Sequence, residues 1–305
     1  MLGVAIRAFA GATALLIGFG AGATPGSAAC TAAPVGRIAV RIVDRTPFVT
    51  ASANGKQVTL ILDTGAQQTM LTSAAAERIN GETPRIEFSR QMRSIGNTTK
   101  TREVELRSFS ISGVAIPARR VQVAPLTMSR PDMSIDGLLG IDTLGQFDID
   151  FDLSHDRMLL YAGKSCDGPA SDWPRSYTTI RAVGYPGAHL QISVELNGRR
   201  VTALLDTGAQ RTTIAAKAAE AIGITEAVLA GDRSIMVRGA AGEQASSRIH
   251  RFAQLKIGDL VIRDPEIVVA NVNLRAADMV VGMDLLGTRR FWLSHGARQI
   301  FLLSN

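Results

Sequence analysis

Two stretches of this 305-residue chain carry the same chemistry. LILDTGAQQTM runs from Leu60 to Met70, and ALLDTGAQRTT runs from Ala203 to Thr213. Each sets a carboxylate, a hydroxyl and a glycine directly behind an apolar run. One carboxylate cannot easily hydrolyse an amide, because water must be activated while the carbonyl oxygen receives a proton. Two carboxylates held about 3 Å apart cannot both ionise, so the pair shares one proton. The ionised member can then serve as base toward a bound water, and the protonated member as acid toward the carbonyl.

Such a pair needs two copies of one loop facing each other, and the chain supplies two copies. Asp63 and Asp206 are the candidate carboxylates. The apolar residues Leu60-Ile61-Leu62 and Ala203-Leu204-Leu205 read as buried strands that fix each carboxylate on a rigid base. Gly65 and Gly208 have no side chain, which lets the two loops approach closely. Thr64 and Thr207 offer hydroxyls that can bond backbone across the junction. Gln67 and Gln210 are repeated as well and read as loop support.

The loops belong to a longer duplication. At a shift of 143 residues, NGKQVTLILDTGAQQTML (54–71) overlies NGRRVTALLDTGAQRTTI (197–214), with eleven of eighteen positions identical. TSAAAERIN then overlies AAKAAEAIG, both alanine-rich and helix-favouring. Thr72 or Ser73 is a candidate N-cap for the first, and the second has no equivalent. Asn80 and Gly223 fall where a helix could end in the left-handed conformation. Gly96 and Gly239 match at the same shift. GLLGIDTL (137–144) resembles VVGMDLLG (280–287), and LSHDRMLLY (153–161) resembles LSHGARQIFL (293–302).

The remaining segments read mostly as short strands. They are Arg37–Val43, Gln57–Leu62, Val104–Ile111, Ala118–Val123 and Met158–Tyr161 in the first half. In the second they are Leu190–Leu196, Val201–Leu205, Phe252–Ile257 and Glu266–Ala270. This pattern predicts all-β lobes. Residues 163–176, rich in Gly, Pro, Ser and Asp, read as a linker between a lobe at 30–162 and a lobe at 177–305.

Residues 1–29 are excluded from the fold. One arginine, an uncharged apolar run and Ser27-Ala28-Ala29 follow the order of a secretory signal, which predicts a periplasmic or secreted protein. An uncleaved anchor is the alternative, and no later segment is long and apolar enough to be an integral membrane span. The two cysteines, Cys30 and Cys166, are expected to form a disulfide in an exported chain. Lipidation of Cys30 is the rival reading.

Composition removes other classes. Hydrophobic residues make up 46% of the chain and aromatic residues 5%, so the core must rest on aliphatic side chains. The net charge of +6 comes from scattered residues without a basic stripe or base-stacking aromatics, so nucleic acid is not an expected partner. The chain has no nucleophile elbow in its mature part, no phosphate loop and no zinc-ligand spacing. Asp142 and Asp284, each in a Gly-x-Asp, read as helix caps. His155 and His295 read as turn residues, and His189 and His250 as ordinary surface residues.

Asp-Thr-Gly-Ala behind apolar residues, with Leu138-Leu139-Gly140 and Val280-Val281-Gly282 downstream, resembles the retropepsin-like and pepsin-like aspartic proteases. The forms LLGIDTL and VVGMDLL look closest to bacterial retropepsin-like members. The resemblance covers residues 37–161 and 177–303. It implies two homologous retropepsin-like β-barrel lobes, related by a pseudo-two-fold, in a bilobal acid protease. Asp63 and Asp206 would be the catalytic pair. Thr64, Gly65, Ala66, Thr207, Gly208 and Ala209 would support the catalytic loops. Ile95, Gly96 and Asn97, with Arg238, Gly239 and Ala240, would form flaps over a cleft for an extended peptide. The segment Arg93–Thr101 lacks the tyrosine that pepsin-type flaps carry. Retropepsins usually pair two chains with one Asp-Thr-Gly each, whereas both copies lie here in one chain, so a monomer is expected. No cofactor or metal is implied. The expected function is an exported aspartic endopeptidase acting on peptide or protein substrates. The alternative is a catalytically silent exported protein that binds peptides in the same cleft.

Overall fold

The computed structural model describes residues 30–79, 90–93, 98–117, 120–126, 130, 132–163, 168–174, 176–184, 189–239, 242–274 and 277–304. Among them the chain is mostly strand, and the strands fall into three sheets. Two of these sheets are built on the same plan.

In the first lobe the plan starts from a hairpin. Strand Thr46–Ala53 turns at Asn54-Gly55 into strand Lys56–Leu62, which leads to Asp63. Both turn residues have positive φ, 50° and 77°, as a tight two-residue hairpin requires. Lys56–Leu62 then pairs in parallel with Gly137–Leu139, and the Asp63 N–H donates to the Leu139 carbonyl at 3.0 Å. The second lobe repeats each step. Ile192–Leu196 turns at Asn197-Gly198 (φ 48° and 74°) into Arg199–Leu205. That strand pairs in parallel with Met279–Val281, and the Asp206 N–H donates to Val281 at 2.9 Å. The order of nine strands is the same in both lobe sheets, and the first lobe adds Arg41–Val43 at its side. Each aspartate therefore leaves the end of a central strand that is paired on both sides, a site where the backbone has little freedom.

The third sheet holds the lobes together. Its six strands are Gly36–Ala39, Arg157–Ala162, Phe147–Asp152, Arg290–Ser294, Gln299–Leu303 and Tyr177–Arg181, in that order. Three come from each half, and the halves meet where Phe147–Asp152 pairs with Arg290–Ser294. Alternate residues face opposite sides of this sheet, as the two-residue period of a strand dictates. Phe151 and Phe291 stack at 4.5 Å on the face that joins the apolar core running through both lobes. Trp292, Phe301, Tyr161 and Leu159 line the other face.

Several sequence expectations change here. Arg37–Val43 is two strands, because the chain crosses at Val40 from the shared sheet into the first-lobe sheet. Val104–Ile111 is likewise interrupted, with Thr98–Glu105 and Phe109–Ile111 on either side. The Asn54 side-chain oxygen accepts from the Arg107 and Ser108 N–H groups at the break, at 2.7 and 3.3 Å. The segment read as a linker is partly built into the fold. Trp173 is buried against the outer face of the shared sheet, and its indole N–H donates to Asp150 at 3.0 Å. Thr72 caps the helix Ser73–Arg78 through its hydroxyl, and Ala215 caps the helix Ala216–Ala221 without a side-chain bond. No helix among the described residues is long and apolar enough to cross a membrane.

Candidate active site

Asp63 and Asp206 stand side by side where the two lobes meet, and their side chains hydrogen-bond to each other. The approach depends on the glycine of the opposite loop. A Cβ added to Gly65 would lie 2.3 Å from the Asp206 carboxyl carbon, and one added to Gly208 would lie 2.3 Å from that of Asp63. Any other residue would displace the carboxyl it faces.

Backbone donors orient both carboxyls. The Gly65 and Ala66 N–H groups donate to Asp63 Oδ1 at 3.0 and 2.8 Å. The Gly208 and Ala209 N–H groups donate to Asp206 Oδ1 at 2.9 and 3.1 Å. Beneath them the two threonines lock the loops together. The Thr64 N–H donates to Thr207 Oγ1 and the Thr207 N–H to Thr64 Oγ1, both at 3.0 Å. The Thr64 hydroxyl donates to the Leu205 carbonyl and the Thr207 hydroxyl to the Leu62 carbonyl, both at 2.7 Å. The threonine bonds lie in the buried interior, where a fully satisfied network is stiff.

The electrostatics follow from this packing. Burial raises Asp63 first and the negative charge of Asp206 next, so its carboxyl is pushed up to about 8 from an ordinary 3.8. Burial raises Asp206 too. There the Gly208 and Ala209 donors, the bond with Asp63 and the positive form of His189 pull it back. The arrangement can hold one proton between two carboxyls while leaving one of them ionised.

The Gly-x-Asp pair has a different role from the one its position suggests. The helices Ile141–Leu144 and Met283–Leu286 are capped by Gly140 and Gly282, and neither has a side-chain cap bond. Asp142 Oδ1 instead accepts from the N–H and hydroxyl of Thr69, both at 2.8 Å. Asp284 Oδ1 accepts from the N–H and hydroxyl of Thr212 at 2.8 and 2.7 Å. The same hydroxyls accept from the Gly140 and Gly282 N–H groups at 3.1 Å. Each carboxylate thus clamps the far end of an Asp-Thr-Gly-Ala loop. A signal for this was present in the sequence, since Thr69 and Thr212 also repeat at the 143-residue shift.

His189 is a second departure. It is only 6% exposed, not a surface residue, and its Nε2–H donates to the Gly65 carbonyl at 3.1 Å. It lines a small cavity behind the pair with Thr64, Leu204, Leu205 and His295. No sequence signal marked it, because the matching position in the first half is Thr46. The other repeated histidines diverge. His155 is exposed and bonds Asp152 at 2.7 Å, whereas His295 turns inward and donates through Nδ1 to the Phe147 carbonyl at 2.9 Å. His250 pairs with Asp232 at 2.7 Å.

Of the expected flap residues, Ile95, Gly96, Asn97 and Ala240 lie outside the described residues, as does Cys166. Arg238 ends the strand Arg233–Arg238, which pairs with Gln244–Arg251. The Gly239 N–H donates to Glu243 at 2.9 Å, so Arg238 and Gly239 sit at the closed end of that hairpin. Gln210 donates to Thr46 Oγ1 at 3.0 Å. No group of three metal-ligating side chains occurs among the described residues.

Comparison with known proteins matches the family model described as "Aspartyl protease" twice, over residues 49–143 and 192–285. One relative, "DNA damage-inducible protein 1" of Chaetomium globosum, is 36% identical over 99 residues, which is 32% of this chain and 21% of that protein. "UBA domain-containing protein Mud1" of Schizosaccharomyces pombe is 34% identical over 97 residues, covering 32% of this chain and 28% of its own length. The chain thus spans between a fifth and a third of these curated relatives. Among solved structures, the aspartic proteinase from Irpex lacteus shares the fold with a TM-score of 0.53. That likeness covers 88% of this chain and 97% of the other, at 13% identity.

Proposed function

Because this chain belongs to the aspartyl protease family, with one family repeat in each half, we propose that it is an exported aspartic endopeptidase using Asp63 and Asp206. The observation that carries the proposal is the crossed hydrogen bonding of Thr64 and Thr207, which holds two hydrogen-bonded carboxyls together. In the cycle, the ionised carboxylate takes a proton from water as the water oxygen attacks the peptide carbonyl carbon. The protonated carboxyl gives its proton to the carbonyl oxygen, and a tetrahedral diol forms. The diol then loses a hydroxyl proton to the pair, the nitrogen gains one, and the C–N bond breaks to release an acid and an amine. The substrate class is peptide or protein, bound extended beneath hairpins that include Arg238 and Gly239. A transition-state mimic with a hydroxyl in place of the attacked carbonyl should bind tightly.

Export rests on the basic, apolar and small-residue order of residues 1–29. The docking of Cys30 supports its pairing with Cys166. The Cys30 N–H donates to Pro169 at 2.9 Å, and the Ser171 N–H donates to the Cys30 carbonyl at 3.2 Å. This brings the start of the mature chain against the segment just beyond Cys166.

A peptide-library screen tests the enzyme. The wild type should cleave, and Asp63→Asn, Asp206→Asn and the double variant should be folded and inactive. A folded wild type that binds library peptides but cleaves none would replace the enzyme with the silent peptide binder. Intact mass of the secreted protein under non-reducing conditions checks the cut after Ala29 and the disulfide. A lipid-sized mass gain at Cys30 would overturn the disulfide in favour of lipidation.

A further inference from the structure

The proposed pair is symmetric in sequence, but its surroundings are not. At the 143-residue shift Thr46 matches His189. Both side chains are buried, at 7% and 6% exposure. Each reaches the carboxyl-bearing loop of the opposite lobe. Thr46 Oγ1 accepts from Gln210 Nε2 at 3.0 Å, which is a neutral contact. His189 Nε2–H donates to the Gly65 carbonyl at 3.1 Å, and imidazole can carry a positive charge. Gly65 is the residue packed directly against the Asp206 carboxyl. The duplication has therefore placed an ionisable base behind one side of the pair and a hydroxyl behind the other.

The setting strengthens this asymmetry. The cavity that His189 lines is walled by Leu204, Leu205, Ile141 and Ile300, so a charge there acts across a medium of low dielectric. Among the described residues, the titratable groups that face His189 include Asp206 at its loop and His295 from the turn after strand Arg290–Ser294. Burial disfavours the protonated form of His295, its bond to Phe147 partly offsets this, and the charge of a protonated His189 disfavours it further. The two imidazoles thus oppose double protonation.

Resting on the reading of Asp63 and Asp206 as the catalytic pair, we propose that His189 is a positioning residue that breaks the symmetry. It holds Asp206 as the ionised base and leaves the shared proton on Asp63. His189 touches no substrate in this role. It acts through the Gly65 carbonyl, which fixes its ring, and through its charge on Asp206.

The test follows side-chain carboxyl titration by NMR in protein labelled with 13C-aspartate. Asp206 is observed in Asp63→Asn and Asp63 in Asp206→Asn, each with and without His189→Gln. Glutamine can still donate to the Gly65 carbonyl but carries no charge. Loss of a nearby cation should move the Asp206 titration up by about one pH unit, a tenfold change, and leave Asp63 nearly still. His189→Thr, which installs the first-lobe residue, should act in the same direction. In the otherwise native enzyme the acid limb of kcat/KM should move up by a similar amount. Equal shifts at both carboxyls, a shift confined to Asp63, or no shift at either would overturn the proposal. Absence of cleavage by the wild type would instead defeat the protease reading and leave the titration result standing.

Discussion

At Asp63 the fold keeps a proton that water would remove. Its carboxyl is pushed from 3.8 to about 8 by burial and by Asp206, while an unfolded chain would leave it near its ordinary value. The folded state therefore binds more protons than the unfolded state between about pH 4 and pH 8, and stability falls as pH rises through that window. Asparagine keeps the oxygen that accepts from Gly65 and Ala66 and has no proton to lose. Asp63→Asn should thus be more stable than the wild type at pH 7, by about 1–3 kcal/mol once water at the site is allowed for. The advantage should vanish below about pH 4, where both states of the wild type are protonated. Urea unfolding across that range measures it. A wild type at least as stable as the variant at pH 7 would show that the pair is not held under electrostatic load.

At the scale of elements, two strand ends are joined by a threonine from each. Removing the Thr64 hydroxyl leaves the Leu205 carbonyl and the Thr207 N–H without those partners in the interior. Thr207→Val does the same to Leu62 and to the Thr64 N–H. Each valine variant should cost about 2–4 kcal/mol, because buried groups are left unsatisfied. The double variant should cost less than the two added together, since both hydroxyls belong to one network. A double-mutant cycle by chemical denaturation reads this directly, and simple additivity would mean that the loops are not coupled. The carboxylate clamps at Thr69 and Thr212 hold the other ends of the same loops, so the elements fix each aspartate from both sides.

At the scale of the molecule, the two lobes share both a sheet and a core. The pairing of Phe147–Asp152 with Arg290–Ser294 crosses the boundary between the halves. On one face lies the Phe151–Phe291 stack. On the other, the Arg290 guanidinium donates twice to buried Asp150, at 2.9 and 2.5 Å, and lies over the Trp173 ring. Neither half should therefore unfold alone. Phe291→Ala should destabilise the protein by about 3–5 kcal/mol and keep a single calorimetric transition. Two separated transitions would show independent lobes. One chain also contains the whole pair, so a hydroxyl-bearing inhibitor should titrate at one molecule per chain, with sedimentation at the mass of a monomer. Half-site stoichiometry would point to a site shared between chains.

The amino-acid sequence by itself determined the duplication, the all-β class and the two loops that matter. Period-two strands and Asn-Gly turns are local features, and eleven identities in eighteen residues at a constant shift report a repeated unit. Repetition shows that two units are alike, but it carries no record of how they touch. The six-stranded sheet, the docking of Trp173 and the use of Asp142 and Asp284 as clamps were decided by tertiary structure. Each depends on a surface supplied by residues far away in the chain. His189 makes the point most sharply. Nothing near it in sequence distinguishes it from a surface histidine, and only the packing of one lobe on the other buries it against the Gly65 carbonyl of the opposite loop.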